Sequence, residues 1–164
     1  MKPLLIATLV LIAGTGFAQA KMSVQLLSPW DGKRVPAGQN CTLDGGQGST
    51  PPMKLSGLPK GTVTIIVEYN DKSYAPLSSG GGHGVIGYPV RGNSANLPAV
   101  PGLSAKLPGG VQVVKPARST GRYASKGYLP PCSGGRGNNY SATIKAVSAT
   151  GKLLEKITIG IGKY

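Results

Sequence analysis

The chain is short of acid, of histidine and of large aromatic side chains. Its 164 residues include five Asp and Glu, one His, one Trp and one Phe. Each shortage excludes something. A glycosidase of the usual kind needs two placed carboxylates, and Asp31, Asp44, Glu68, Asp71 and Glu155 show no suggestive pairing. A single histidine, His83, and two cysteines without a Cys-x-x-Cys spacing leave no set of metal ligands. There is no Gly-x-Ser-x-Gly elbow, so a Ser–His–Asp set could come only from His83, Asp71 and an unplaced serine such as Ser79 or Ser133. The reading is a non-enzymatic protein with no metal and no cofactor.

Long apolar runs are also missing beyond the first residues. Lys2, the apolar stretch Leu4–Leu11 and the small-x-small ending Phe17-Ala-Gln-Ala20 have the form of a secretory signal cleaved after Ala20. The stretch is too short and too broken by glycine to anchor the chain in a membrane, and no second run of spanning length follows. The expectation is a signal peptide over 1–20 and a single domain over 21–164, exported to a periplasm or secreted. In that setting Cys41 and Cys132 read as a disulfide; two buried free thiols are the alternative.

What is abundant is base, glycine and proline. Eighteen Lys and Arg give a formal net charge of +13, which favours anionic surroundings. The bases are scattered singly with little aromatic interleaving, so no specific nucleic-acid partner is expected. With 26 Gly and 14 Pro, the longest stretches after residue 20 free of both are Thr62–Ala75 and Asn138–Thr150, and each opens with a strand pattern. Val63-Thr-Ile-Ile-Val-Glu-Tyr69 is β-branched and places Val63, Ile65, Val67 and Tyr69 on one face, with Ile66 making the other face partly buried. Tyr140, Ala142, Ile144 and Ala146 alternate with polar residues. Ser23–Leu27, Gly84–Tyr88, Val111–Val114 and Ile157–Ile161 complete the set. The fold class is all-β with little helix: two packed antiparallel sheets and long loops.

The segment Gly127-Tyr-Leu-Pro-Pro-Cys-Ser-Gly-Gly-Arg-Gly-Asn-Asn-Tyr140 joins a rigid turn to a Gly-rich loop that runs into a strand. Such a loop offers backbone N–H groups to a small anion; a plain surface turn is the bland reading. Asp71 falls just past the end of one strand and His83 just before the start of another. In adjacent antiparallel strands those positions share one sheet edge, where Asn138 and Tyr140 could meet them.

Six motifs in order resemble the phosphatidylethanolamine-binding proteins, particularly their bacterial, Raf kinase inhibitor-like branch. They are Cys41-Thr-Leu-Asp-Gly45, Thr50-Pro-Pro-Met-Lys-Leu-Ser-Gly-Leu-Pro-Lys-Gly-Thr62, Asn70-Asp71 with Ala75-Pro76, His83-Gly-Val with Tyr88-Pro89, Leu107-Pro-Gly-Gly110, and Gly127-Tyr with Pro131-Cys132 and Asn138-Asn-Tyr140. The resemblance implies a β-sandwich with a small pocket for phosphate-like or other anionic groups. Carried over, the pocket comprises Asp71, His83, the Cys132–Ser133–Gly134 turn, Asn138 and Tyr140, with Arg136 at its rim. Asp71 would orient His83 or bind a head-group amine. The implied partners are an anionic small molecule or a phospholipid head group.

Departures from the family pattern bear on that pocket. Asn138 stands for a second histidine, Gly84 for a tryptophan, and Ser133-Gly134 for Pro-Pro. The Gly84 change is expected to open the pocket wall. There is no room for the helix that many members place before the last strand, although a Gly-x-Tyr ending survives as Gly162-Lys-Tyr164. The alternative function is a basic interaction protein that meets an anionic envelope surface, keeping the scaffold and not the pocket. Kinase inhibition is not carried over to an exported protein.

Overall fold

The computed structural model describes residues 21–164, and the signal-peptide expectation over 1–20 lies outside the described residues. Eight strands form: β1 (Ser23–Leu26), β2 (Met53–Ser56), β3 (Thr62–Asp71), β4 (Val85–Pro89), β5 (Ser94–Leu97), β6 (Gln112–Lys115), β7 (Asn139–Ser148) and β8 (Leu153–Lys163). The only helical pieces among the described residues are three-residue 3₁₀ turns at Thr42–Asp44, Ala75–Leu77 and Gly121–Tyr123. Glycine and proline interrupt the chain too often for anything longer.

The strands make two antiparallel sheets. One has three strands in the order β1-β2-β5, the other five in the order β6-β4-β3-β7-β8. Their facing sides share one core, in which Met53, Leu55 and Leu97 of the small sheet meet Ile65, Val67, Tyr69, Ala142 and Ile144 of the large one. Each Met, Leu, Ile or Val among them stabilises the fold by about 1.5–3 kcal/mol through burial. The two-sheet all-β expectation therefore holds.

Strand β3 differs from its expected pattern at two places. The register to β7 shifts between Thr62 and Thr64, and this irregularity turns Val63 outward, where it is 40% exposed. Ile66 is only half-buried, on the solvent side of the sheet between Gly87 and Lys145. Strands β2 and β5 were not expected. Met53-Lys-Leu-Ser56 alternates buried and exposed residues, but it sits in a proline-rich motif that reads as loop.

Cys41 and Cys132 are joined in a disulfide with Cα atoms 5.2 Å apart. It ties the Thr42–Asp44 turn to the segment leading into β7. Around it Leu129 and Ala117 make a small separate apolar cluster. The same junction is bonded through the backbone, because the Cys41 N–H donates to the Pro131 carbonyl at 2.9 Å.

Candidate functional site

The end of β3 organises one corner of the molecule. Asp71 is its last residue and stands opposite Tyr140 in the β3–β7 ladder. The next strand in sequence, β4, returns antiparallel beside β3, and the His83 N–H donates to the Tyr69 carbonyl at 2.9 Å. Between the two strands the chain loops through Ala75–Gly82. Asn70, itself buried, fastens that loop, its side-chain oxygen accepting the Gly81 and Gly82 N–H groups at 2.9 and 3.2 Å. A Cβ on Gly82 would stand 2.2 Å from the Leu77 carbonyl oxygen, so glycine is needed where the loop folds over itself. Arg118 clamps the outside, donating to the carbonyls of Pro76, Ser79 and Gly80.

These elements enclose an open cavity of 430 Å³. Asp71, His83, Cys132, Ser133 and Asn138 all line it, so five of the seven residues expected at the site come together. Arg136 also borders it and has no hydrogen-bond or ion-pair partner among the described residues. Asp71 and His83 are the buried part, at 4% and 3% exposure. Tyr74 and Tyr123 stand exposed at the rim, with the Arg122 guanidinium over the Tyr123 ring at 5.2 Å. Arg118, Tyr74 and Tyr123 were missed from sequence. They sit in loops without a motif, and only the fold brings them to His83.

The remaining two expected residues do not line the cavity. The Tyr140 ring packs edge-on against His83, with centroids 5.3 Å apart, and its hydroxyl accepts the Cys132 N–H at 3.2 Å. Burial pushes the Tyr140 hydroxyl up to about 12, so it stays protonated. Gly134 turns its N–H away, donating to the Asp44 carboxylate at 2.9 Å. The Gly137 N–H is likewise given to the Tyr164 carbonyl at 2.8 Å. The Gly-rich loop thus spends several of its N–H groups inside the protein instead of offering them to an anion.

Two further expectations are corrected. Asp71 does not orient His83. Its carboxylate accepts the Asn138 side-chain amide at 2.7 Å and the Ser73 N–H at 2.9 Å. His83 is held instead by the Leu129 carbonyl, 2.8 Å from Nδ1. Gly84 does not open the wall. A Cβ there would lie 2.8 Å from the Gly127 carbonyl oxygen, because the 127–128 backbone fills that space, and φ is +111°. The close approach has a use, since the Leu129 N–H donates to the His83 carbonyl at 2.8 Å and fixes the wall that carries Leu129.

Burial pushes the His83 imidazole below its ordinary value of 6.5, with the Leu129 bond and the Asp71 charge acting the other way. The ring is neutral at pH 7. The cavity then holds one carboxylate against two guanidinium groups, Arg118 and Arg136. Both serine hydroxyls on its lining are occupied: Ser133 Oγ donates to the Tyr164 carbonyl at 2.6 Å, and Ser119 Oγ to the Tyr123 carbonyl at 2.7 Å. The cluster Cys41, Asp44 and Cys132 brings three ligand-type residues together, but both sulfurs are in the disulfide.

No protein-family model matches the sequence. No characterised protein matches it at the sequence level either. In three dimensions the chain is similar to a crystal structure of a phosphatidylethanolamine-binding protein homologue from Chlamydia trachomatis. That match has a TM-score of 0.53 and 16% identity, covering 90% of this chain and 98% of the other. At that identity the likeness establishes the fold, which is the one the sequence motifs imply.

Proposed function

We propose that this chain is a non-enzymatic, exported binding protein of the phosphatidylethanolamine-binding type, and that its cavity engages a small phosphate-bearing or otherwise anionic group. The observation that carries the reading is Arg136. An unpartnered guanidinium stands at the mouth of a cavity whose floor holds His83 with no protein group bonded to its Nε2 among the described residues. An entering phosphate would meet Arg136 and the remaining donors of Arg118. Asp71 has lone pairs left after its two hydrogen bonds and would favour a ligand that also carries an amine. The occupied serine hydroxyls support a binding role over a hydrolytic one. The Cys41–Cys132 disulfide supports an oxidising compartment, and no helix among the described residues is long and apolar enough to cross a membrane.

The test is an NMR titration of the isotopically labelled protein with inorganic phosphate and with phosphoethanolamine. Saturable shifts at His83, Asn138 and Arg136 are expected, and they should be lost in Arg136→Ala. Unmoved signals at all three residues would remove the cavity reading.

A second reading is favoured by the N–H groups of Cys132, Gly134 and Gly137, which are given to Tyr140, Asp44 and Tyr164. In it the loop is structural, and the basic surface meets an anionic envelope component. Binding would then weaken steeply with salt and survive His83→Ala.

A further inference from the structure

A second, larger depression of 850 Å³ shares the 135–140 segment with the first cavity but includes neither His83 nor Asp71. It forms where residues 32–35 meet the start of β7 and the end of β8. None of the chain's five acids borders it. Three exposed cations do: Lys33, Arg34 and Lys163. None of their charged ends has a partner among the described residues, where the one ion pair is Lys145–Glu68. A fourth base on its border, Lys72, is turned elsewhere, its Nζ donating to the Ser78 carbonyl at 2.9 Å. The acid nearest in sequence, Asp31, is occupied by the Lys33 and Arg34 N–H groups at 2.8 and 3.4 Å.

The three cations are presented on fixed backbone. Arg34 and Lys163 form a parallel bridge, the Val35 N–H donates to the Lys163 carbonyl at 3.0 Å, and the Lys163 N–H donates to the Lys33 carbonyl at 3.1 Å. Gly162 permits that contact, since a Cβ on it would stand 2.6 Å from the Arg34 carbonyl carbon. One buried polar side chain lies at the same depression. Ser141 borders it at 6% exposure, and its buried hydroxyl has no hydrogen-bond partner.

We propose that this depression is a second binding site, separate from the first cavity, for a compact ligand carrying two or more phosphate groups. Three positive side chains without an ion-pair partner, in a basin with no Asp or Glu side chain, exceed what a single phosphate neutralises, so affinity rises with the number of phosphates. The proposal does not rest on the reading of the first cavity, and NMR mapping separates the two. The experiment is calorimetric and NMR titration of the full chain with inorganic phosphate, pyrophosphate and glucose 1,6-bisphosphate at two salt concentrations. Both multivalent compounds should bind more tightly than inorganic phosphate, less tightly at the higher salt, with shifts at Gly160, Gly162 and Lys163. Lys33→Ala/Arg34→Ala/Lys163→Ala should weaken them about tenfold or more. A control with the same charge removed elsewhere, Lys60→Ala/Lys106→Ala/Lys115→Ala, should bind like the wild type. Full affinity in the first variant, an equal loss in the control, shifts confined to His83 and Arg118, or no binding of either multivalent compound at millimolar concentration overturns the proposal.

Discussion

The Leu129 carbonyl oxygen lies 2.8 Å from His83 Nδ1. A carbonyl can only accept, so Nδ1 carries the proton, and in the neutral ring Nε2 is left as an acceptor. The main chain of the Gly-rich segment therefore sets the tautomer of the one histidine in the protein.

That arrangement gives a pH dependence with a definite sign. The folded imidazole titrates below 6.5, so as pH falls through 6.5 the unfolded chain takes up its proton first. The stability contributed by neutral His83 is present above that value and is lost as pH falls towards the folded value. Asp71 and Tyr140 are its neighbours, and the Asp71 charge acts against the burial effect without outweighing it. NMR of the imidazole, a single signal because there is one His, should show a midpoint below 6.5. Saturating phosphate should move that midpoint upward, since a bound anion favours the imidazolium. A midpoint above 6.5 without ligand contradicts the burial argument.

Asn138→Ala removes one of the two hydrogen bonds that Asp71 accepts and leaves a buried carboxylate oxygen short of a donor. The expected loss is about 1–3 kcal/mol in urea unfolding at neutral pH. Asn138→Asp places a second carboxylate against Asp71 and should cost more, with part of the loss recovered in acid as the pair takes up a proton.

Gly84→Ala should be among the worst substitutions in the chain although no ligand would touch it. The new Cβ meets the Gly127–Tyr128 backbone, and φ is +111°, where L side chains rarely sit. About 2 kcal/mol or more is expected. A melting temperature equal to the wild type would show that the 127–129 wall yields easily.

The disulfide spans 91 residues of sequence. Closing a loop of that length should stabilise the fold by about 4–5 kcal/mol in the chain-entropy model. Cys41→Ser/Cys132→Ser, compared with the wild type in guanidinium unfolding, measures it. Added dithiothreitol should lower the wild type towards the variant and leave the variant unchanged.

The parts of the fold legible in the sequence are those where local pattern and long-range pairing agree. Ile65, Val67 and Tyr69 alternate in β3, and Ala142, Ile144 and Ala146 in β7. Strands β2 and β5 were hidden because Met53-Lys-Leu-Ser56 and Ser94-Ala-Asn-Leu97 have weak strand chemistry of their own and gain their ladders from pairing, β2 with both β1 and β5. The meeting of Asp71 with His83 was legible from strand ends only on the condition that their strands are antiparallel neighbours, which the β3–β4 pairing meets. The inward or outward aim of the loop was not. The Gly134 N–H is claimed by Asp44 from 90 residues away, and no local rule foretells such a partner.

The bridge between Arg34 and Lys163 has a consequence beyond charge. Strand β8 is the border of the five-stranded sheet, and a bare border invites another chain to add a strand. Here the 33–35 segment occupies the carboxyl end of that border with its own hydrogen bonds, and Lys156 stands exposed farther back. The opposite border, β6, is only four residues long and ends in Lys115. The sheet is thus guarded on both sides against accretion of like chains, with lysine and a short flap of backbone as the guards.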